Sequence, residues 1–364
     1  MKPSPASFRK YAHLPVLRLF VFLTIVAGVV YKPTLLHAAP PQSSSAPEVT
    51  KVEPPNWWIG LTPEVLLIVS GHDLEATHVS CNLPTLRVTR TQATARGDYL
   101  FIWLKFGPET RSGTAVCRIK TAGGPASFEL PLAASIATTG RFQGLSSGNV
   151  PYFIVPTPLA EAEPANDKSG AAPSLQDESK AGTHFAGDLR QIREHLVELK
   201  NLGVTVLRLA PITMQDPEPE NHAHTVVDFY SINPHLGSLK DFQDLVASAH
   251  AQNMKVILDL ELFYVSARHP WVARPPLVEW LGAVPNHLGN APKPSGDSPN
   301  VKPILETENP LVALYLLQNG IWWVETAGLD GIHVTQDANA TRQFWRGWCA
   351  GLQKIYPNLT IVSE

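Results

Sequence analysis

Between residues 51 and 137, apolar positions arrive in short bursts broken by turn residues. Val65 to Val69 and Tyr99 to Leu104 are near-continuous apolar runs, whereas Val79 to Cys81, Thr114 to Ile119 and Ser127 to Leu130 mix apolar with polar positions. Short runs of this kind, spaced by Gly and Pro, predict the strands of a β-sandwich. Near residue 140 the rhythm changes. Pro151 to Val155 is compact and apolar, and residues 157–186 are polar and rich in Pro, Ala and Gly. Gly187 to Leu202 then carries Leu189, Ile192, Leu196, Leu199 and Leu202 at the spacing of one helix. An apolar strand follows at Val204 to Leu209, an amphipathic helix at Leu239 to His250 and a strand at Lys255 to Phe263. Further on, an apolar helix at Leu311 to Val324 ends at Gly328, and Gly331 to Val334 reads as a buried strand. Strands of this character alternating with helices predict a parallel sheet covered by helices. Five such strands are expected, at about 151–156, 204–210, 255–263, 331–335 and 359–364.

Ahead of both regions lies an export signal. Arg9, Lys10 and Arg18 flank the apolar run Leu19 to Val30, and Leu36-His-Ala-Ala39 offers small residues for cleavage. The run is short for a bilayer-spanning helix, so residues 1–39 read as a cleaved signal and not as an anchor. The expected organisation is a signal peptide over 1–39, a Pro- and Ser-rich linker over 40–50, a sandwich over 51–137 and an α/β part over 145–364. Export to the periplasm or the medium follows, with no membrane contact after cleavage.

Composition narrows the classes. At 44% hydrophobic and 17% charged the chain is ordinary globular material, and a net charge of −3 makes no case for nucleic acid as a partner. Nine Trp fit either saccharide stacking or core packing. Three Cys leave an odd one: Cys81 and Cys117 lie in expected strands and stand as a candidate pair in an oxidising compartment. Cys349, among Trp345, Trp348 and Leu352, reads as a buried thiol. His222 and His224 stand two apart, but no Cys/His or His/Glu spacing of a closed zinc site accompanies them. Neither a Gly-rich phosphate loop nor a Gly-x-Ser-x-Gly elbow occurs.

Asn309-Pro310, Ile321-Trp-Trp323, Ala327-Gly-Leu-Asp-Gly-Ile332 and the ending Tyr356-Pro-Asn-Leu-Thr-Ile-Val-Ser-Glu364 resemble the alpha-amylase family, in its cyclomaltodextrinase and neopullulanase branch. Pro54-Pro-Asn-Trp-Trp58 with Gly60 looks like the opening of that branch's small N-terminal domain, which packs beside the barrel and supports dimer formation. The resemblance implies a multidomain β plus α/β protein. An immunoglobulin-like β-sandwich would precede the first five strands of a TIM (β/α)8 barrel, strands six to eight being absent. The implied ancestral reaction is retaining hydrolysis of α-glucosidic bonds in maltodextrins, and the implied partners are a maltodextrin-type carbohydrate and a second copy of the chain.

Set against the family's motifs, the chemistry is broken. The family strand reads Asp-Gly-Ile-Arg-Val-Asp, its last Asp the nucleophile and its Arg that residue's partner; here those positions are Thr335 and His333. A hydroxyl cannot offset oxocarbenium charge as a carboxylate does. Asp337 lies two residues off, too far when about 1 Å of misplacement is already costly. Glu364 matches the general acid. Val256 to Tyr264 matches the strand-three motif with Asp259 kept, but Phe263 and Tyr264 replace its Asn-His. Asn221 to Tyr230 keeps His222 and Asp228, while Asn221 and His224 replace two tyrosines. Thr157-Pro158 replaces an Asp-Arg pair, and Glu163-Pro-Ala-Asn-Asp167 is an eroded echo of a loop that binds calcium, the one metal implied. The expected site is thus Glu364 and Thr335 at the catalytic positions, with Asp259, His222, His333 and His224 towards substrate. Three readings stand: a glycosidase-like chain without activity, a non-catalytic maltodextrin-binding or assembly protein, and a decaying gene product with no stable fold.

Overall fold

The computed structural model describes residues 46–135, 144–157, 187–216, 225–283, 303–335 and 340–363. The expected signal peptide, His222, His224, Asp337, Glu364 and the calcium-like loop lie outside these residues. All described residues fall in one compact unit.

The N-terminal strands are β1 (Glu48–Glu53), β2 (Trp57–Ile59), β3 (Glu64–His72), β4 (Ala76–Cys81), β5 (Leu86–Ala93), β6 (Tyr99–Phe106), β7 (Gly113–Thr121) and β8 (Gly124–Ala134). They form two four-stranded sheets, ordered β1-β3-β6-β5 and β2-β8-β7-β4. Every pairing is antiparallel except β2 with β8. Strand β7 alternates buried and exposed positions, as a half-buried strand must, whereas the first six residues of β6 are all buried. Trp57 and Trp58 on β2 are buried. Cys81 and Cys117 lie directly opposite each other across β4 and β7 and are joined as a disulfide. Strand β1 begins at Glu48, inside the segment expected to be a flexible linker.

The second half opens with β9 (Pro151–Ile154), α1 (Leu189–Glu194), α2 (Leu196–Asn201) and β10 (Val206–Leu209). Next come β11 (Thr213–Gln215), β12 (Val226–Ile232), α3 (Leu239–Ala251), β13 (Lys255–Leu260), α4 (Pro270–Ala273), β14 (Leu281–Ala283) and β15 (Pro303–Leu305). The last elements are α5 (Pro310–Ala327), β16 (Gly331–Val334), α6 (Arg342–Ile355) and β17 (Thr360–Ser363). Five strands make one parallel sheet in the order β17-β16-β13-β10-β9. The helix expected over 187–202 is broken in two at His195, whose backbone leaves the helical region (φ −94°, ψ 6°). Leu202, placed by its spacing on the buried stripe, is exposed because α2 has already ended. The strand expected to reach Phe263 stops at Leu260.

Helix α5 is the centre of the molecule. Asn309 caps it by accepting the Leu311 N–H at 2.9 Å, Pro310 occupies its first turn, and Gly328 ends it in the left-handed region at φ 74°. It is apolar nearly all round, the mark of a helix buried on several sides. Most of its long polar side chains reach neighbouring elements. Trp323 Nε1 donates to the Phe229 carbonyl at 3.1 Å, and Asn319 Nδ2 to the same oxygen at 2.8 Å. Trp322 Nε1 donates to Asn56 Oδ1 at 2.9 Å. Gln318 reaches β3, where its Oε1 accepts the Leu66 N–H at 2.8 Å and its Nε2 donates to the Leu66 carbonyl at 2.8 Å. Gln318 thus serves as a one-residue strand just beyond the point where β1 stops at Glu53 and gives way to Pro54 and Pro55.

The two halves also meet through charge. Lys51 on β1 holds Glu53 at 3.0 Å and Asp228 on β12 at 2.9 Å, and Tyr315 on α5 donates to Glu53 Oε1 at 3.1 Å. Burial pushes the Glu53 carboxyl above the usual range, against the pull of Lys51. Burial also acts on Asp228, but Lys51 and the Tyr230 N–H outweigh it and hold that carboxyl below its ordinary value. A carboxyl raised on folding stabilises fully below its unfolded pKa, and that contribution is lost as pH rises through the folded value. Melting wild type and Glu53→Gln in parallel over mildly acid to neutral pH cancels the other groups. The variant is expected to gain on wild type as pH rises, by no more than about 1.4 kcal/mol per pH unit. A difference flat in pH would contradict the assignment.

Candidate functional site

In each strand of the parallel sheet the next-to-last residue projects to the same face, opposite the one that packs on the helices. On that other face Leu207, Leu209, Leu258, Leu260, Ile332 and Val334 are buried apolar residues. The strand register sets Phe153 beside Arg208, and Asp259 beside His333. At Gly331 the chains run close: a Cβ there would lie 2.8 Å from the Thr360 carbonyl oxygen, so this register requires glycine.

The row is a charge cluster. Arg208 Nε donates to Asp259 Oδ1 at 2.9 Å, and one terminal nitrogen donates to Oδ2 at 3.0 Å, a bidentate clamp. That same terminal nitrogen lies 3.0 Å from His333 Nδ1. A guanidinium is always a donor, so in this contact Nδ1 is the acceptor. The 3.3 Å approach of Nδ1 to Asp259 Oδ1 is then a contact and not a second ion pair. On its other side the Arg208 guanidinium lies over the Phe153 ring, 4.8 Å from the centroid.

Asp259 and His333, expected to face substrate, are instead buried within this layer at 8% and 1% exposure, because Arg208 folds over them. Thr335, at the expected nucleophile position, follows directly on β16 and is exposed. Phe263 is buried in an aromatic cluster, 5.9 Å from Phe344 and 5.4 Å from Trp345 of α6, ring centre to ring centre. The polar group the motif calls for there has therefore become part of a wedge between β13 and α6. Tyr264 is half-buried, and its carbonyl accepts the Val226 N–H at 3.1 Å. Asp228 is spent on local structure: it accepts the Tyr230 N–H at 2.9 Å and the Ser231 hydroxyl at 2.7 Å besides holding Lys51. Cys349 is half-buried where a fully buried thiol was expected, and burial raises its pKa.

Sequence reasoning missed Arg208 and Phe153. A signal was present for the first, a lone charge in the otherwise uncharged run Val204 to Leu209. Among the described residues no group of three or more His, Cys, Asp or Glu side chains is placed to hold a metal ion. A second buried imidazole, His269, is structural: it caps α4 by accepting the Trp271 N–H at 3.1 Å, and burial lowers its pKa to about 3.

What this layer can do is limited by its electrostatics. Among the described residues of the layer, the Asp259 carboxylate and the Arg208 guanidinium neutralise each other, so these residues offer N–H donors and an aromatic surface rather than an open carboxylate.

Residues 153–275 match the family described as alpha amylase, catalytic domain, and residues 51–134 match cyclomaltodextrinase, N-terminal. A cyclomaltodextrinase of Geobacillus thermopakistaniensis is 28% identical over 226 residues, covering 58% of this chain and 37% of that protein. Alpha-amylase 3 of Dictyoglomus thermophilum is 31% identical over 199 residues, 49% of this chain and 39% of that one. Neopullulanase 2 of Thermoactinomyces vulgaris is 28% identical over 226 residues, 58% of this chain and 38% of its own length. The chain spans about two fifths of the length of these relatives.

Proposed function

Because this chain belongs to the alpha-amylase family, in its cyclomaltodextrinase and neopullulanase branch, we propose that it is an exported protein that holds maltodextrins at the strand ends of its parallel sheet without hydrolysing them. In this reading the two four-stranded sheets are the branch's immunoglobulin-like sandwich, and the five parallel strands are the first five of a TIM barrel. The names of the relatives support an α-glucan as ligand: a cyclomaltodextrinase, an alpha-amylase and a neopullulanase share this sequence pattern.

The state of the carboxylates supports the loss of hydrolysis. A retaining glycosidase needs a nucleophilic carboxylate and a carboxylic acid about 5–5.5 Å apart across the scissile bond. Here Thr335 stands at the nucleophile position, and Asp259, the carboxylate of the strand-end layer, has both oxygens bound by Arg208. At Asp259, developing positive charge on a sugar ring would meet a neutral ion pair and not an open anion. His333, where the motif has an Arg, is itself bound to Arg208.

Titrating the 364-residue chain with maltoheptaose tests this. Saturable binding with no new reducing ends is the expected result. Release of reducing sugar that Glu364→Gln abolishes would overturn the proposal.

A further inference from the structure

Phe153, like Arg208, is a residue of the strand-end layer that the motifs do not account for. The residue is 46% exposed, whereas Asp259 and His333 of the same layer are almost fully buried. Only part of the Phe153 ring is used internally, where the Arg208 guanidinium packs 4.8 Å from its centroid. Arg208 is in turn fixed by its bidentate bond to Asp259 and by His333. A rigid chain of contacts, His333 and Asp259 to Arg208 to Phe153, therefore holds an aromatic surface in place at the edge of a polar cluster. Exposing a ring to water is unfavourable, and fixing it beforehand removes the entropy cost of ordering it when a ligand arrives.

We infer that Phe153 is the stacking platform for a glucose ring of the bound α-glucan, with Arg208 as the positioning residue that orients it. The inference rests on the maltodextrin-binding reading above. A pyranose ring has an apolar C–H face and a rim of hydroxyls. The exposed part of the Phe153 residue matches the first, and the adjacent, partly exposed Arg208 guanidinium matches the second with N–H donors. Both tyrosines of the family's Tyr-His-Gly-Tyr segment are replaced here, by Asn221 and His224, so a stacking surface must come from another element if a sugar is held.

The test is maltoheptaose binding by calorimetry to the 364-residue chain and to Phe153→Ala, Phe153→Leu and Phe153→Tyr. Leu keeps apolar bulk without the ring, so it guards against a variant that simply misfolds; thermal melts accompany each titration. Binding about tenfold weaker in the Ala and Leu variants, and near wild type in Tyr, is expected. Arg208→Lys is expected to weaken binding while leaving the heptaose stoichiometry unchanged, since it loosens the ring without removing it. Equal affinity of wild type and Phe153→Leu would overturn the assignment of Phe153 and leave maltodextrin binding standing. No binding by wild type would overturn both.

Discussion

Asp259→Ala will cost the protein roughly 3 kcal/mol of stability, read as a lower urea midpoint at unchanged slope. The loss comes less from the bond removed than from what stays behind. Arg208 is three-quarters buried, and without Asp259 its guanidinium loses the bidentate carboxylate that offsets its desolvation. Removing both charges with matched apolar groups, as in Arg208→Met with Asp259→Leu, is expected to cost markedly less than Asp259→Ala alone. That ordering separates the ion-pair account from a simple packing account, in which the double replacement would be the worse of the two. The same experiment bears on function, because a layer whose charge pair can be exchanged for apolar groups without unfolding is not maintained for stability.

Cys81→Ala with Cys117→Ala will lower stability by roughly 3–4 kcal/mol, and reducing the wild-type disulfide will do the same. The bond closes a loop with a sequence separation of 36, and a cross-link of that span removes much of the freedom of the unfolded chain. It also ties down an edge: β4 is the last strand of its sheet and pairs there with β7 alone. Cys349→Ala is the control, expected to stay below about 1 kcal/mol because it removes one half-buried sulfur. If reduction leaves the midpoint unchanged, β4 is held by its ladder and the bridge is incidental.

Much of the fold could be read from the chain because its signals were local. Helix α5 announces itself by Asn309, Pro310 and Gly328, a cap, a first-turn proline and a left-handed stop. The parallel strands announce themselves as apolar runs between helices. What escaped were elements whose pattern is set by neighbours. Strand β5 is mostly polar, since as an edge strand it has little face to bury. Strands β1 and β2 are short and separated by Pro54-Pro55-Asn56, and β2 is only Trp57-Trp58-Ile59. The break at His195 left the apolar spacing of its helix intact and so was invisible to periodicity.

The site divides in the same way. Asp259, His333 and Thr335 could be placed by motif, because a motif fixes position along a strand. That Arg208 would clamp Asp259, and that Phe153 would lie beneath Arg208, depends on register between β9, β10 and β13. Register is a long-range property, decided by how separate strands slide against one another, and a single sequence does not carry it.

The contact between Gln318 and Leu66 also sets a clock. The two residues lie 252 positions apart, and at a synthesis rate of about 5–20 residues per second roughly 10–50 s separate their appearance at the ribosome. For most of that interval the strands of the N-terminal half have emerged, yet the Leu66 N–H and carbonyl still await the side chain that completes them. A nascent chain in that state presents an unfinished strand edge to whatever else is nearby, and the helix that closes it is made long after the strand it closes.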